Sequence, residues 1–259
     1  MSNSIINDDY SGRHRENPVS EHGRFRALAR LRGSRAVAGA VAACALSLFG
    51  TPGPALAALP PDTVRTGNAA YGADGDAHGR CGFPEGSAVY LAAVSAQHYR
   101  GAQACGAHLL VTSKATSRSV HVKVTDQCAG CGADDLLLNP AAFQQIASLQ
   151  EGRIAITWKL TDAQPSSGMF YRFRPGSNQW WGAFQVDNSR FPIARVEILR
   201  DGTWANLPRG DDNYFTATSA GPGPHELRLT DVYGATVIEQ QVPLLEGGTH
   251  QGNQQFPQR

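Results

Sequence analysis

The residues best placed to do chemistry in this 259-residue chain are acids at the end of a strand pattern. Val124-Thr125-Asp126-Gln127-Cys128 closes on Asp126, and Asp134-Asp135 follow shortly after. Carboxyl groups grouped in this way suit general acid–base work on a glycosidic bond. One protonates the leaving oxygen, and a second activates water or attacks the sugar. The same residues also fit a loop cap or a solvated charge cluster, so spacing alone leaves both readings open. A second group is Gly176-Ser177-Asn178-Gln179-Trp180-Trp181. Adjacent side chains on an extended strand point to opposite faces, which puts one Trp in the core and the other in solvent. Both are exposed only where the backbone twists or loops. Exposed aromatic faces then stack on the apolar faces of pyranose rings.

Cys128-x-x-Cys131 raises redox and zinc chemistry as well. A zinc site needs a second ligand pair at suitable spacing, and only Cys81 and Cys105 remain to supply it. A thioredoxin-like site needs a βαβ context, which the surrounding pattern lacks. Two disulfides are the simpler reading for four Cys in an exported chain. Three connectivities are open, and Cys81–Cys105 with Cys128–Cys131 is the favoured one. No metal or other cofactor is expected.

Export is read from the first residues. Seven Arg and no Lys lie between positions 13 and 35; an apolar run from Ala36 to Gly50 follows, and then Ala55-Leu56-Ala57. That order is a secretory signal. Residues 1–57 are therefore expected to be a signal peptide with a long polar leader, cleaved after Ala57, and the mature protein is expected outside the cell. The apolar run is about 15 residues against the roughly 20 that span a bilayer, so no membrane partner is expected after cleavage. Val41-Ala42-Ala43-Cys44 also looks like a lipobox, but Leu46, Leu48 and Phe49 carry the apolar run past that Cys. The leader holds seven basic and four acidic residues, which takes the net charge from +1 for the whole chain to −2 for the remainder. Such a balance offers no electrostatic footprint for nucleic acid, and avid adsorption to acidic polymers by bulk charge is not expected.

The elements that position these residues read as strands. Val120, Val122 and Val124 alternate with polar neighbours, as do Ile154, Ile156 and Trp158, and such alternation turns one face inward. Val89–Val94 and Leu109–Thr112 are short apolar runs that also suit strands. Asn139-Pro140 before AAFQQIASL is a cap and first-turn Pro for one helix. Residues 58–160 are thus expected to form a small stapled β barrel, and 161–168 (TDAQPSSG) a linker. From 169 to 245 a series of short strands follows, with Asp201-Gly202 as a hairpin turn, and this suggests a β sandwich. Residues 246–259 are expected to be a flexible tail.

Taken in order, GRCGF (79–83), ACGAHLLV (104–111), VTDQCAGC (124–131), NPAAFQQIA (139–147), FYRFRPGSNQWWGAFQVDN (170–188) and DGTWANLPRGDDNYF (201–215) resemble the bacterial expansins and related expansin-like proteins. The resemblance implies a mainly β fold. The first part would be a six-stranded double-psi β barrel, similar to RlpA-like and glycoside hydrolase family 45 domains. The second would be an immunoglobulin-like sandwich of carbohydrate-binding module family 63. It further implies a secreted, monomeric protein that binds cellulose or a related β-glucan of the cell wall and loosens it without hydrolysis. Asp126 stands where the family keeps its groove acid, Trp180 and Trp181 where it keeps platform aromatics, and Arg174 where it has a basic residue beside them. Both Trp residues are then expected in solvent, and Tyr71 is a further sugar-binding candidate.

The departures from the pattern fall mainly in the groove. Leu137 stands where a second Asp is expected, with Asp135 two residues earlier as a partial substitute. Ala70 stands for a groove Thr, and Cys128 for an aromatic. Asp212 takes the place of the third platform aromatic, with Tyr214 as its replacement on the same strand face. Hydrolysis needs an acid and a second carboxylate, and Asp126 lacks a clear partner, so no catalytic residue is assigned. Two alternatives stay open: a glycan-cleaving enzyme, either an RlpA-like lytic transglycosylase or a family-45-like glucanase, and a binding-only protein with a decayed groove.

Overall fold

The computed structural model describes residues 59–60, 62–72 and 79–259. The expected signal peptide and its cleavage site lie outside them. Among the described residues, no helix is long and apolar enough to cross a membrane.

Six strands close a barrel: β1 (Arg65–Tyr71), β2 (Leu91–Ser95), β3 (His108–Ser113), β4 (Ser119–Cys128), β5 (Leu136–Leu138) and β6 (Arg153–Thr161), in the spatial order β1-β5-β2-β4-β3-β6. Pairs β1/β5 and β2/β4 are parallel, and the other four are antiparallel. A closed six-stranded barrel followed by a two-sheet sandwich, the architecture that the family resemblance implies, is the one found. Alternation fixes the inner face. Val120, Val122 and Val124 of β4 and Ile154, Ile156, Trp158 and Leu160 of β6 are all buried in one core. Each fully buried apolar side chain of this kind contributes about 1.5–3 kcal/mol. Helix α2 (Pro140–Ile146) starts where the sequence placed it, with the Asn139 side chain accepting the Ala142 N–H and Pro140 in the first turn. Its Phe143 and Ile146 close the core. A shorter helix, α1 (Ala96–Tyr99), follows β2.

The disulfides are Cys81–Cys105 and Cys128–Cys131. The first spans 24 residues of chain, worth about 3.5 kcal/mol in the chain-entropy account. The second ties the end of β4 to the loop that carries Asp134 and Asp135.

The sandwich packs sheet β11-β8-β7-β14 against sheet β10-β9-β12-β13. The first contains β7 (Phe170–Phe173), β8 (Trp181–Asp187), β11 (Phe215–Thr218) and β14 (Gly248–Gln251). The second contains β9 (Ile193–Arg200), β10 (Thr203–Asn206), β12 (His225–Asp231) and β13 (Thr236–Val242). Asp201-Gly202, both at positive φ, turn β9 into β10. The expected loose tail is a correction. Gly248–Gln251 pair with β7, Phe256 is 1% exposed, and the buried Glu239 carboxylate accepts the N–H groups of Asn253 and Gln254. This polar, Gln- and Gly-rich segment with no period gave no sign of this, because its partners lie far away along the chain.

Barrel and sandwich meet through paired polar groups, as buried polar atoms require. Lys123 of β4 reaches Asp187 of β8 at 2.7 Å, with its ammonium 4.1 Å from the Phe83 ring centroid. Gln185 donates to the Cys81 carbonyl at 2.8 Å, Arg172 to the Gly82 carbonyl, and the Tyr99 hydroxyl to the Asp211 carbonyl.

Candidate functional site

Strand register brings the residues expected to line a groove into one row. Ala70 of β1 lies opposite Leu137 of β5, Leu137 opposite Ala93 of β2, and Ala93 opposite Asp126 of β4. One cross-strand row thus runs Ala70–Leu137–Ala93–Asp126. The register shifts by one residue before Ala93, so Thr125 is an extra residue and Asp126 is re-aimed into the row. The Asp126 Oδ1 accepts the N–H of Arg80 and of Gln127, each at 2.7 Å. Gly79 makes that possible: a Cβ there would stand 2.5 Å from both the Asp126 Cβ and the Thr125 carbonyl oxygen. One carboxylate oxygen is therefore fixed, which orients the other.

Leu137 is two strands from Asp126, about 10 Å between Cα atoms at ordinary strand spacing. An acid there would fall near the separation used by inverting glycosidases, about 6.5–9.5 Å between carboxyl groups. Leu137 supplies only methyl groups, packed over Gly72. Asp135 does not take its place. Its Oδ1 accepts the Asn68 backbone N–H at 2.7 Å and the Asn68 amide at 3.1 Å, and its Oδ2 pairs with Arg153 at 2.6 Å. Burial opposes its ionisation, but these donors outweigh it and hold the carboxyl below its usual range. It is a structural anion between β1, β5 and β6. Asp134 turns the other way, to His98 at 2.8 Å and Arg65 at 3.7 Å. Tyr71 follows Ala70 on β1, 38% exposed and tilted against Phe143 at 5.3 Å.

The second half of the site is local. Trp180 is 71% and Trp181 38% exposed, so the opposite-face expectation for a plain strand fails. The reason is Asn178, whose Oδ1 accepts the N–H groups of Trp180 at 2.9 Å and Trp181 at 3.2 Å. This side-chain turn bends the chain at Trp180 and starts β8 only at Trp181. Arg174 extends from the end of β7 on the same sheet. Its guanidinium lies 3.9 Å from the Tyr214 ring centroid and donates to Asp212 at 2.6 Å. That hydrogen bond holds Arg174 more firmly protonated than usual. Partial burial opposes ionisation of Asp212, yet Arg174 and the Tyr214 N–H hold it low. Tyr214 is not on a strand with Asp212. Asn213 has φ of 65°, Gly210 and Tyr214 close a turn, and β11 begins at Phe215. One face of the Tyr214 ring is covered by Arg174, so guanidinium and ring form a single stacked unit.

Cys128 and Cys131 are joined to each other, which removes them as metal ligands. Among the described residues, no group of three or more His, Cys, Asp or Glu is arranged to hold a metal ion.

No protein-family model matches the chain. Expansin-YoaJ of Bacillus subtilis is 32% identical over 166 residues, covering 62% of this chain and 72% of that protein. The chain belongs to the expansin family. The crystal structure of apo Clavibacter michiganensis expansin superposes with a TM-score of 0.70 at 29% identity, over 76% of this chain and 100% of that one. A mutant of that expansin, crystallised in complex with cellohexaose, gives a TM-score of 0.69. A papain inhibitor of Streptomyces mobaraensis is 31% identical over 141 residues, which covers 98% of it and 52% of this chain. Within this expansin, sequence reasoning missed Arg80, Gln127 and Asp211. Their partners lie up to 131 residues away, so no spacing announces them. Asn178, two residues before Trp180, is a turn-forming residue type, and that is the sequence signal for the bend.

Proposed function

We propose that this protein is a secreted, non-hydrolytic, monomeric expansin that binds cellulose or a related β-glucan of the cell wall. Trp180 and Trp181 stack on the apolar faces of glucose rings, while Arg174, stacked on Tyr214, donates to ring hydroxyls. The Asp126 groove, with Tyr71 next to Ala70 on β1, engages a glucan chain and weakens its contacts with neighbouring polymers. The observation that carries this reading is the pair of adjacent, solvent-exposed Trp side chains beside an ordered Arg on one sheet. The cellohexaose complex of the Clavibacter expansin supports the choice of ligand. The absence of a second acid at position 137 supports binding without hydrolysis, because Asp135 is consumed by Asn68 and Arg153. Two disulfides and the Arg-rich, apolar leader support export.

Depletion of the protein from solution by microcrystalline cellulose tests the platform. Adsorption is expected from the unaltered protein and is lost in Trp180→Ala/Trp181→Ala; equal adsorption by both refutes the assignment. Assay of soluble sugar from cellulose and xylan tests the second part, and none is expected. A second reading rests on Asp126 alone. Its fixed Oδ1 and single-acid setting also suit a lytic transglycosylase, which needs no attacking water. Anhydro-muropeptides released from purified sacculi, and absent with Asp126→Asn, would favour that reading.

A further inference from the structure

Arg80 occupies a position that neither the groove nor the platform accounts for by itself. Its backbone N–H holds Asp126. Its guanidinium donates to Gln127 Oε1 at 2.8 Å, beside the groove acid, and to Asp211 Oδ2 at 3.1 Å, on the sandwich. The stem passes the Tyr99 ring, with the guanidinium carbon 5.7 Å from the ring centroid. Tyr99 in turn hydrogen-bonds the Asp211 carbonyl. The next residue, Asp212, grips Arg174, which is stacked on Tyr214. A continuous chain of charge-assisted contacts thus runs Asp126–Arg80–Asp211, then through one peptide bond to Asp212–Arg174–Tyr214. The Arg80 side chain is half exposed, and Asp211 is more so, so this chain lies at the surface between the two halves of the site.

We infer that Arg80 is the positioning residue that couples groove and platform, so that one glucan chain is held by both at once. Two sites linked rigidly in register bind a long ligand far better than either alone, whereas sites free to shift forfeit part of that gain. Arginine suits the task because its planar fork reaches two acceptors on different domains, which a lysine point charge cannot do with fixed geometry. Lys123–Asp187, Gln185–Cys81 and Tyr99–Asp211 keep the domains docked without Arg80. Removing its side chain therefore leaves the fold intact and takes away only the bridge from Gln127, beside the groove acid, to Asp211. The inference rests on the glucan-binding reading above and adds how the two halves act together.

The test is titration of the purified secreted protein with soluble cello-oligosaccharides from cellobiose to cellohexaose. The unaltered protein is expected to gain affinity steadily with length. Arg80→Ala is expected to keep its melting temperature and its affinity for short oligosaccharides, yet to lose about tenfold at cellohexaose. Arg80→Lys should fall between them. The charge exchange Arg80→Glu with Asp211→Arg should recover part of the loss, which a purely local packing role would not allow. Arg118→Ala, on an exposed turn of the barrel, serves as the control. An unchanged length dependence in Arg80→Ala overturns the coupling while leaving the platform intact. Unchanged affinity in Trp180→Ala/Trp181→Ala removes the platform itself, and that separate result overturns both readings.

Discussion

The groove and the platform are built in opposite ways. The Trp pair of the platform is posed locally: a single side chain, Asn178, sets the bend that presents both rings. The groove is wholly non-local. Its row Ala70–Leu137–Ala93–Asp126 draws on four strands, and Asp126 faces it only because one extra residue bulges β4. A local site tolerates change in the rest of the chain but falls with its own few residues. A register-built site survives single side-chain losses but depends on the whole barrel.

The largest expected effect tests how far the platform depends on its sheet. Phe256→Ala should destabilise the sandwich by about 3–5 kcal/mol, because the buried ring anchors the segment that follows β14. Thermal unfolding would show it, and a change below about 1 kcal/mol would restore the view of a dispensable tail. Next in size, loss of both Trp rings should weaken cellulose adsorption by about 2 kcal/mol, roughly thirtyfold, with the melting temperature unchanged. A comparable loss on replacing Asp126 would mean that the groove carries as much of the binding as the platform.

Asn178→Ala should cost about 1 kcal/mol of adsorption, because two N–H groups lose their acceptor and Trp180 loses its fixed bend. If adsorption is unaffected, strand pairing rather than Asn178 poses the rings. Leu137→Asp would sharpen the contrast from the groove side. Clamped, heat-inactivated wall strips under constant load should extend more with this variant than with the unaltered protein, while cellulose adsorption stays the same. The smallest effect concerns pH. Asp135 has a folded pKa below its unfolded value near 3.8, so its stabilising contribution is complete well above that pH. It is lost as pH falls through the lower folded value. Unfolding followed from pH 5 to pH 2 should show acid destabilisation that Asp135→Asn reduces, and an unaltered profile would mean that the Asn68 and Arg153 contacts are not formed in solution.

Much of this was legible in the residues. Period-two alternation marked β4 and β6, Asn139-Pro140 marked the start of α2, and Asp201-Gly202 marked the β9–β10 turn. Short-range order of this kind is dictated by side-chain pattern and backbone preference, which the sequence carries directly. The family motifs located Asp126, Arg174, Trp180 and Trp181. Tertiary structure decided the rest. It placed Leu137 in the same cross-strand row as Asp126, committed Asp135 to Asn68 and Arg153, put Arg174 on the face of Tyr214, drew 248–256 into the sandwich and joined Arg80 to Asp211. Each depends on groups tens of residues apart meeting within about 3–4 Å, and strand register and domain docking, not local propensity, set such distances.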